Sequence, residues 1–110
     1  MIGEITVGQL SPAWSFEIVY DDNTHPDITG ATITGAIREV EANIVKALTT
    51  ANFSITVDGS GTPNPVVGYA QIAADVDTPG TWEYLVKVSV ASKPVYLRGL
   101  FSIKPTFGSL

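Results

Sequence analysis

The sequence predicts an all-β domain of seven or eight strands, arranged as a two-sheet antiparallel sandwich or a small barrel. Three observations predict it. Apolar and polar residues alternate through most of the chain, the period of a strand with one buried face. Turn-forming residues recur about every 8–12 positions. Only 15% of residues are charged, against roughly 25% in ordinary soluble domains, and twelve Thr and eight Ser take up the difference. Threonine is β-branched and suits a pleated, half-exposed surface. A surface made polar by hydroxyls also costs less to desolvate than one made polar by charges, which suits a protein packed against others.

Each element follows from its own pattern. Ile2 to Val7 reads as a short first strand. Trp14, Phe16, Ile18 and Tyr20 share one face of the second strand, with Ser15, Glu17 and Val19 on the other. Asp21 to Thr29 has turn chemistry, and Gly30 can supply a positive φ. Ala31 to Arg38 resumes alternation with Ile33 and Ile37 inward and Thr32 and Thr34 outward, and Gly35 marks a bulge or a close backbone approach. Residues 39–50 fit two patterns: Val40, Ile44 and Leu48 recur at helical spacing, while Ile44 to Thr49 reads as a strand after a turn at Ala42-Asn43. The strand is favoured, because no helix stop signal follows.

Phe53, Ile55 and Val57 alternate, and the breaker cluster from Asp58 to Pro65 predicts an exposed, mobile loop. Val66 to Ala73 is a further strand, with Val67, Tyr69 and Gln71 on one face. After a tight connection at Asp75 to Gly80 comes the strongest strand, with Trp82, Tyr84, Val86, Val88 and Val90 opposed to Glu83, Leu85, Lys87 and Ser89. Ser92-Lys93-Pro94 turns the chain. Val95, Leu97, Gly99, Phe101 and Ile103 then face in, and Tyr96, Arg98, Leu100, Ser102 and Lys104 face out. The expected core is Trp14, Phe16, Ile18, Ile33, Ile37, Phe53, Ile55, Trp82, Tyr84, Val86, Phe101 and Ile103.

Composition bounds function by exclusion. The 110 residues are one domain, 1–110, with no visible linker or repeat. The absence of cysteine excludes disulfides, thiol catalysis and cysteine-based zinc sites. A net charge of −5 argues against nucleic acid as a partner. No apolar run approaches the roughly 20 residues of a membrane span, and the N-terminal segment lacks the pattern of a signal peptide. No cofactor is expected.

The candidate chemical sites are weak. His25 lies in a polar loop with no nominated nucleophile or orienting carboxylate, so it reads as a solvated loop histidine and not a catalytic one. Asp21, Asp22 and Asp27, and separately Asp75 and Asp77, offer oxygens of the kind calcium uses, but without the spacing of a helix–loop–helix site. Turn stabilisation is the simpler role. Gly59-Ser60-Gly61-Thr62 lacks the lysine and following helix of a phosphate loop. Trp14, Tyr20, Trp82 and Tyr84 sit among aliphatic partners and read as core, not as a sugar platform. The outward apolar residues Val19, Leu85, Tyr96 and Leu100 would mark a protein interface if clustered. With them goes the first strand, an open edge carrying Ile2, Ile5, Val7 and one charge, Glu4, suited to pairing with a neighbour's sheet.

Four segments, in order, resemble one family. Trp14-Ser15-Phe16-Glu17-Ile18 is similar to its second strand, and Asp27-Ile28-Thr29-Gly30-Ala31-Thr32 to its D-L/I-T-G-A-T segment. Pro79-Gly80-Thr81-Trp82-Glu83-Tyr84 resembles its P-G-T-Y/W-x-Y strand opening, and Gly99-Leu100-Phe101-Ser102-Ile103 its closing G-x-F-x-I strand. The family is the immunoglobulin-like domain of bacteriophage tail and baseplate proteins, including the N-terminal domain of upper-baseplate proteins. The resemblance covers Trp14 to Pro105 and departs where members carry a Gly-Asp pair before the second strand; Ser11-Pro12-Ala13 stands there.

The resemblance implies an immunoglobulin-like antiparallel β-sandwich of seven to eight strands and a virion location, the protein being made in the bacterial host cytoplasm. It implies a non-enzymatic structural protein of tail, baseplate, neck or capsid, an accessory or decoration protein that assembles with itself or with other virion proteins. Low charge and high Ser/Thr content agree with that expectation. A carbohydrate-binding sandwich acting in host-surface adsorption is the alternative, with Tyr96 as its one outward aromatic. A small hydrolase has almost nothing behind it.

Overall fold

The structure is a computed structural model that describes residues 4–90 and 93–105. It contains β1 (Glu4–Thr6), β2 (Trp14–Glu17), β3 (Thr32–Glu39), β4 (Ile44–Ala47), β5 (Phe53–Val57), β6 (Val66–Tyr69), β7 (Gly80–Val90) and β8 (Lys93–Lys104), with short 3-10 turns at Thr50–Asn52 and Ala73–Val76. One sheet has the order β1-β8-β7-β3-β4 and the other the order β2-β6-β5. The fold is all-β. The two sheets are separate, so of the two expected architectures the sandwich forms and the barrel does not.

Alternation explains the packing. Along β7, Trp82, Val86 and Val88 are fully buried, with Tyr84 packed against the core, while Glu83, Leu85 and Lys87 point away. Across the gap, Trp14 of β2 lies 5.4 Å from Phe101 of β8, and Phe16 lies 5.0 Å from Tyr84, between ring centroids. These tilted pairs join the sheets through large buried rings. Trp82 adds a polar anchor, its indole N–H donating to the Thr78 carbonyl at 3.1 Å. All twelve expected core residues lie in this core, although Phe53, Ile55 and Tyr84 are only half-buried. The core also takes in Ile5, Ile28, Leu48, Val67, Tyr69, Val76 and Val88.

Two glycines leave room for aromatic rings. Gly35 is a close approach and not a bulge: a Cβ there would stand 3.0 Å from Cζ of Phe53 and 3.2 Å from the Leu85 carbonyl. Gly99 leaves room for the Tyr84 ring, whose hydroxyl would lie 2.6 Å from an added Cβ.

The structure corrects several expectations. The five-stranded sheet is mixed, because β1 runs parallel to β8, pairing Ile5 with Ile103. Parallel pairing lets the chain leave β1 at the far end of the molecule, where Gly8 turns with φ 81° and donates to the Val76 carbonyl before β2 begins on the other sheet. β2 ends at Glu17, and Tyr20 is exposed because the chain has already entered a loop, its amide bonded to Thr24. β6 ends at Tyr69 where a strand to Ala73 was expected; the following residues curl into a 3-10 turn tied by Asp75. Register shifts between Ile55 and Val57, so β5 does not alternate cleanly against β6. Residues 39–50 form the expected turn and strand, with Asn43 at φ 56° between β3 and β4. Ile2 and Ser92 lie outside the described residues.

Candidate functional site

The outer face of the five-stranded sheet collects most of the outward residues singled out in the sequence. Pairing registers place Val45, Arg38, Glu83 and Leu100 side by side across four strands. The next row is Ala47, Ala36, Leu85 and Arg98, and beyond it come Thr34, Lys87 and Tyr96. Each strand contributes every second residue, so the alternation that buries Trp82 and Phe101 forces these side chains outward. Val45, Tyr96 and Leu100 are 63%, 58% and 64% exposed, unusually open for large apolar side chains on regular strands.

A charged ladder runs through this apolar surface. The Arg38 guanidinium donates to Glu83 at 3.1 Å and, on its other side, to Asn43 at 3.3 Å. Arg98 approaches the second oxygen of Glu83 at 3.8 Å. One carboxylate therefore serves two guanidiniums, and Arg98, two-thirds exposed, keeps donors directed to solvent. Shallow hollows flank it. One of about 450 Å³ is lined by Ala36, Arg38, Val45, Glu83, Leu85 and Arg98, and another of about 460 Å³ by Leu85, Tyr96 and Arg98. An apolar surface with part-paired guanidiniums can take a carboxylate together with an aromatic or aliphatic side chain.

The remaining candidate interface residues lie elsewhere. Val19 is exposed beyond β2, at the loop end of the other sheet. Glu4 is exposed on β1, with Lys104 3.9 Å away. Ile5 points into the core at 8% exposure and Val7 packs against it, so only the backbone of this edge strand, with Glu4, faces outward. Leu85 is half-buried between Arg98 and Ala36. Val45 and the paired arginines were not among the expected interface residues. The signal that finds them is the strand register, which no local pattern contains.

The loop end is built from repeated turns. Asp22, Asp27 and Asp58 each accept from both the amide and the hydroxyl of the residue two ahead, Thr24, Thr29 and Ser60. These bonds hold all three carboxyls below their ordinary value of 3.8, led by the hydroxyl bond in Asp22 and Asp27 and by the amide bond in Asp58. Turn stabilisation is therefore what these aspartates do in the structure. His25 is half-buried and not simply solvated. Its ring nitrogens face the carbonyls of Pro26 at 3.2 Å and Thr62 at 3.1 Å, linking two loops. The Asp58–Pro65 loop is exposed at its tip, but Gly59 and Pro65 are buried and Ile28 donates to the Asp58 carbonyl.

Among the described residues, two carboxylates are buried, and both are occupied. Glu39 accepts from the amides of Glu41 and Ala42 and closes the β3–β4 turn. Asp75 accepts from the Tyr69 hydroxyl at 2.7 Å and the Ile72 amide at 2.9 Å. Burial, reinforced by Asp75, pushes the Tyr69 phenol up to about 12. Among the described residues, no group of three His, Cys, Asp or Glu side chains is placed to hold a metal ion. In comparisons with protein-family models, with curated proteins and with solved structures, nothing matches this chain.

Proposed function

We propose that the chain is a non-enzymatic structural protein of a bacteriophage virion, built on an immunoglobulin-like sandwich and acting through protein–protein assembly. The observation that carries the assembly reading is the open apolar face of the five-stranded sheet, with Val45, Tyr96 and Leu100 around the Arg38–Glu83–Arg98 ladder. Large apolar side chains gathered in the open on one sheet face of a small domain are a mark of a partner site. The virion part of the reading rests on the sequence resemblance over Trp14 to Pro105.

Strand order supports the immunoglobulin-like framework. Taking β2 to β8 as strands B, C, C′, D, E, F and G, one sheet is B-E-D and the other G-F-C-C′, the variable-type division, with β1 added along G. Phe16 and Tyr84 meet between strands B and F, the pair that a disulfide joins in antibody domains. Trp82 stands two residues before Tyr84 and bonds backbone upstream, the role of the corner tyrosine in that fold.

The test is co-sedimentation of the purified protein with particles and virion proteins from its own genome, alongside the identity of the flanking genes. Retention on particles supports the reading, and strict monomer behaviour with no retention overturns it. The carbohydrate-binding reading keeps one observation, exposed Tyr96 beside Arg98 over a hollow. Glycan-array binding lost in Tyr96→Ala would put that reading in its place.

A further inference from the structure

Charge is divided between the sheets. All six Lys and Arg residues lie on strands of the five-stranded sheet, namely Arg38, Lys46, Lys87, Lys93, Arg98 and Lys104. The other sheet and its loops carry none. On the outer face, Arg38 and Arg98 flank the central carboxylate Glu83, Lys87 lies two rows further along β7, and Glu4 stands with Lys104 at the edge strand, in a chain whose net charge is −5. The loop after β2 has the opposite character. Val19 and Tyr20 are 46% and 44% exposed, and the exposed carboxylates Asp21 and Asp22 follow directly. Backbone bonds from Tyr20 to Thr24 and from Asn23 to Tyr20 hold this tip in one shape, so little ordering is left for binding.

We propose that copies of this chain associate head to side, with the Val19–Asp22 tip of one copy seated on the Arg98-centred outer face of the next. The inference rests on the assembly reading above and names its first partner as a second copy. Complementarity selects this pairing. Asp21 and Asp22 meet guanidiniums that one shared carboxylate leaves part-paired, while Val19 and Tyr20 meet Leu85, Tyr96 and Leu100. Face-to-face pairing would instead bring together two faces that each carry Arg38, Lys87 and Arg98, and like-charge juxtaposition is costly. The tip follows β2 in one sheet and its target is the outer side of the other, so the two do not meet within one molecule. The contact therefore joins two different surfaces of each copy and is heterologous. It closes into a ring or continues as a filament.

The experiment is sedimentation velocity on the full chain from micromolar to hundreds of micromolar, at low and high salt. The wild type is expected to form a concentration-dependent series that shrinks as salt screens the charges. Arg98→Glu on the face, and Tyr20→Ser with Asp21→Asn on the tip, are each expected to weaken association about tenfold or more. Tyr20, Asp21 and Arg98 are all exposed, Asp22 and its bonds to Thr24 are left in place, and an unchanged melting profile confirms that the variants fold. Tyr96→Ser tests the apolar half of the contact without altering charge and is expected to weaken association as well. The decisive result is the mixture. Each variant retains the surface that the other has lost, so together they form a 1:1 dimer that does not grow. A monomeric wild type at all concentrations overturns the proposal, as does association indifferent to salt or one that the mixture fails to restore. Particle binding separates this result from the virion reading. A wild type that binds particles yet stays monomeric alone sinks the head-to-side contact only, whereas self-association without particle binding sinks only the virion reading.

Discussion

The two sheets contribute inward faces to the same core and differ in what they turn to solvent. The three-stranded sheet shows Ser15, Ser54 and Thr56, short hydroxyl side chains, with Glu17 and no basic residue among them. The five-stranded sheet shows Val45, Leu100 and Tyr96 around two arginines. Stability alone requires the inner faces. Nothing in the packing of Trp82 or Phe16 requires an exposed leucine on β8, so the contrast separates a surface that stays in water from one suited to contact. Hydroxyl groups keep the first hydrated at low charge, and the second has apolar area to lose on binding.

Changes that break the shared core carry the largest expected effect. Trp82→Ala removes a fully buried ring and its N–H bond to Thr78 and should cost about 3–5 kcal/mol in denaturant melts. A loss under about 1 kcal/mol would mean that the faces of β7 are reversed.

Gly59→Ala should follow, at roughly 1–3 kcal/mol. Gly59 has φ 77°, and an added Cβ would lie 2.4 Å from the Pro26 carbonyl, which is backbone and cannot swing away. Hydrogen exchange at Ile28, whose amide bonds Asp58 across this junction, would report the loosening.

Tyr69→Phe leaves Asp75 with one partner fewer and takes the acceptor from the Thr49 amide, for an expected loss of about 1–3 kcal/mol. The same tyrosine governs the alkaline limit. Its folded value of about 12 lies above the ordinary 10.0, so its stabilisation is complete below pH 10 and is lost as pH rises toward 12. Melts between these values should fall for the wild type and stay flatter for Tyr69→Phe.

Smaller effects separate the two surfaces. Asp22, Asp27 and Asp58 are held below 3.8, so what they stabilise is present above that value and is lost as pH falls through their lower folded values. Acid should therefore raise exchange in the loops at this end before it touches the core strands. Glu83→Gln on the outer face should change stability by at most about 1 kcal/mol, since its ion pairs are partly open to solvent. A larger loss would make the ladder a structural brace and weaken the case for a docking face.

How much of this was legible in the sequence depends on the range of the interaction. Period-two alternation is local, and it placed Trp14, Phe16, Ile37, Trp82, Phe101 and Ile103 inward without any knowledge of partners. It failed at Tyr20, where the strand had already ended; Gln71 keeps the inward side it was assigned although β6 stops two residues earlier. Leu85, Tyr96 and Leu100 were legible as outward residues. That Val45 joins them, and that Val19 does not, depends on which strands become neighbours.

By itself the sequence determined the all-β class, the inner faces of the long strands and the turn chemistry at Gly30 and Asn43, because each depends on a residue and its near neighbours. Only the tertiary structure decided that β1 would pair parallel to β8, that Ile5 would be buried, and that a buried Asp75 would meet the Tyr69 hydroxyl. It likewise decided that Arg38 and Arg98, sixty residues apart in the chain, would share Glu83. Sheet order brings such residues together, and the order follows from how two faces close over one core, a property of the whole chain and not of any segment.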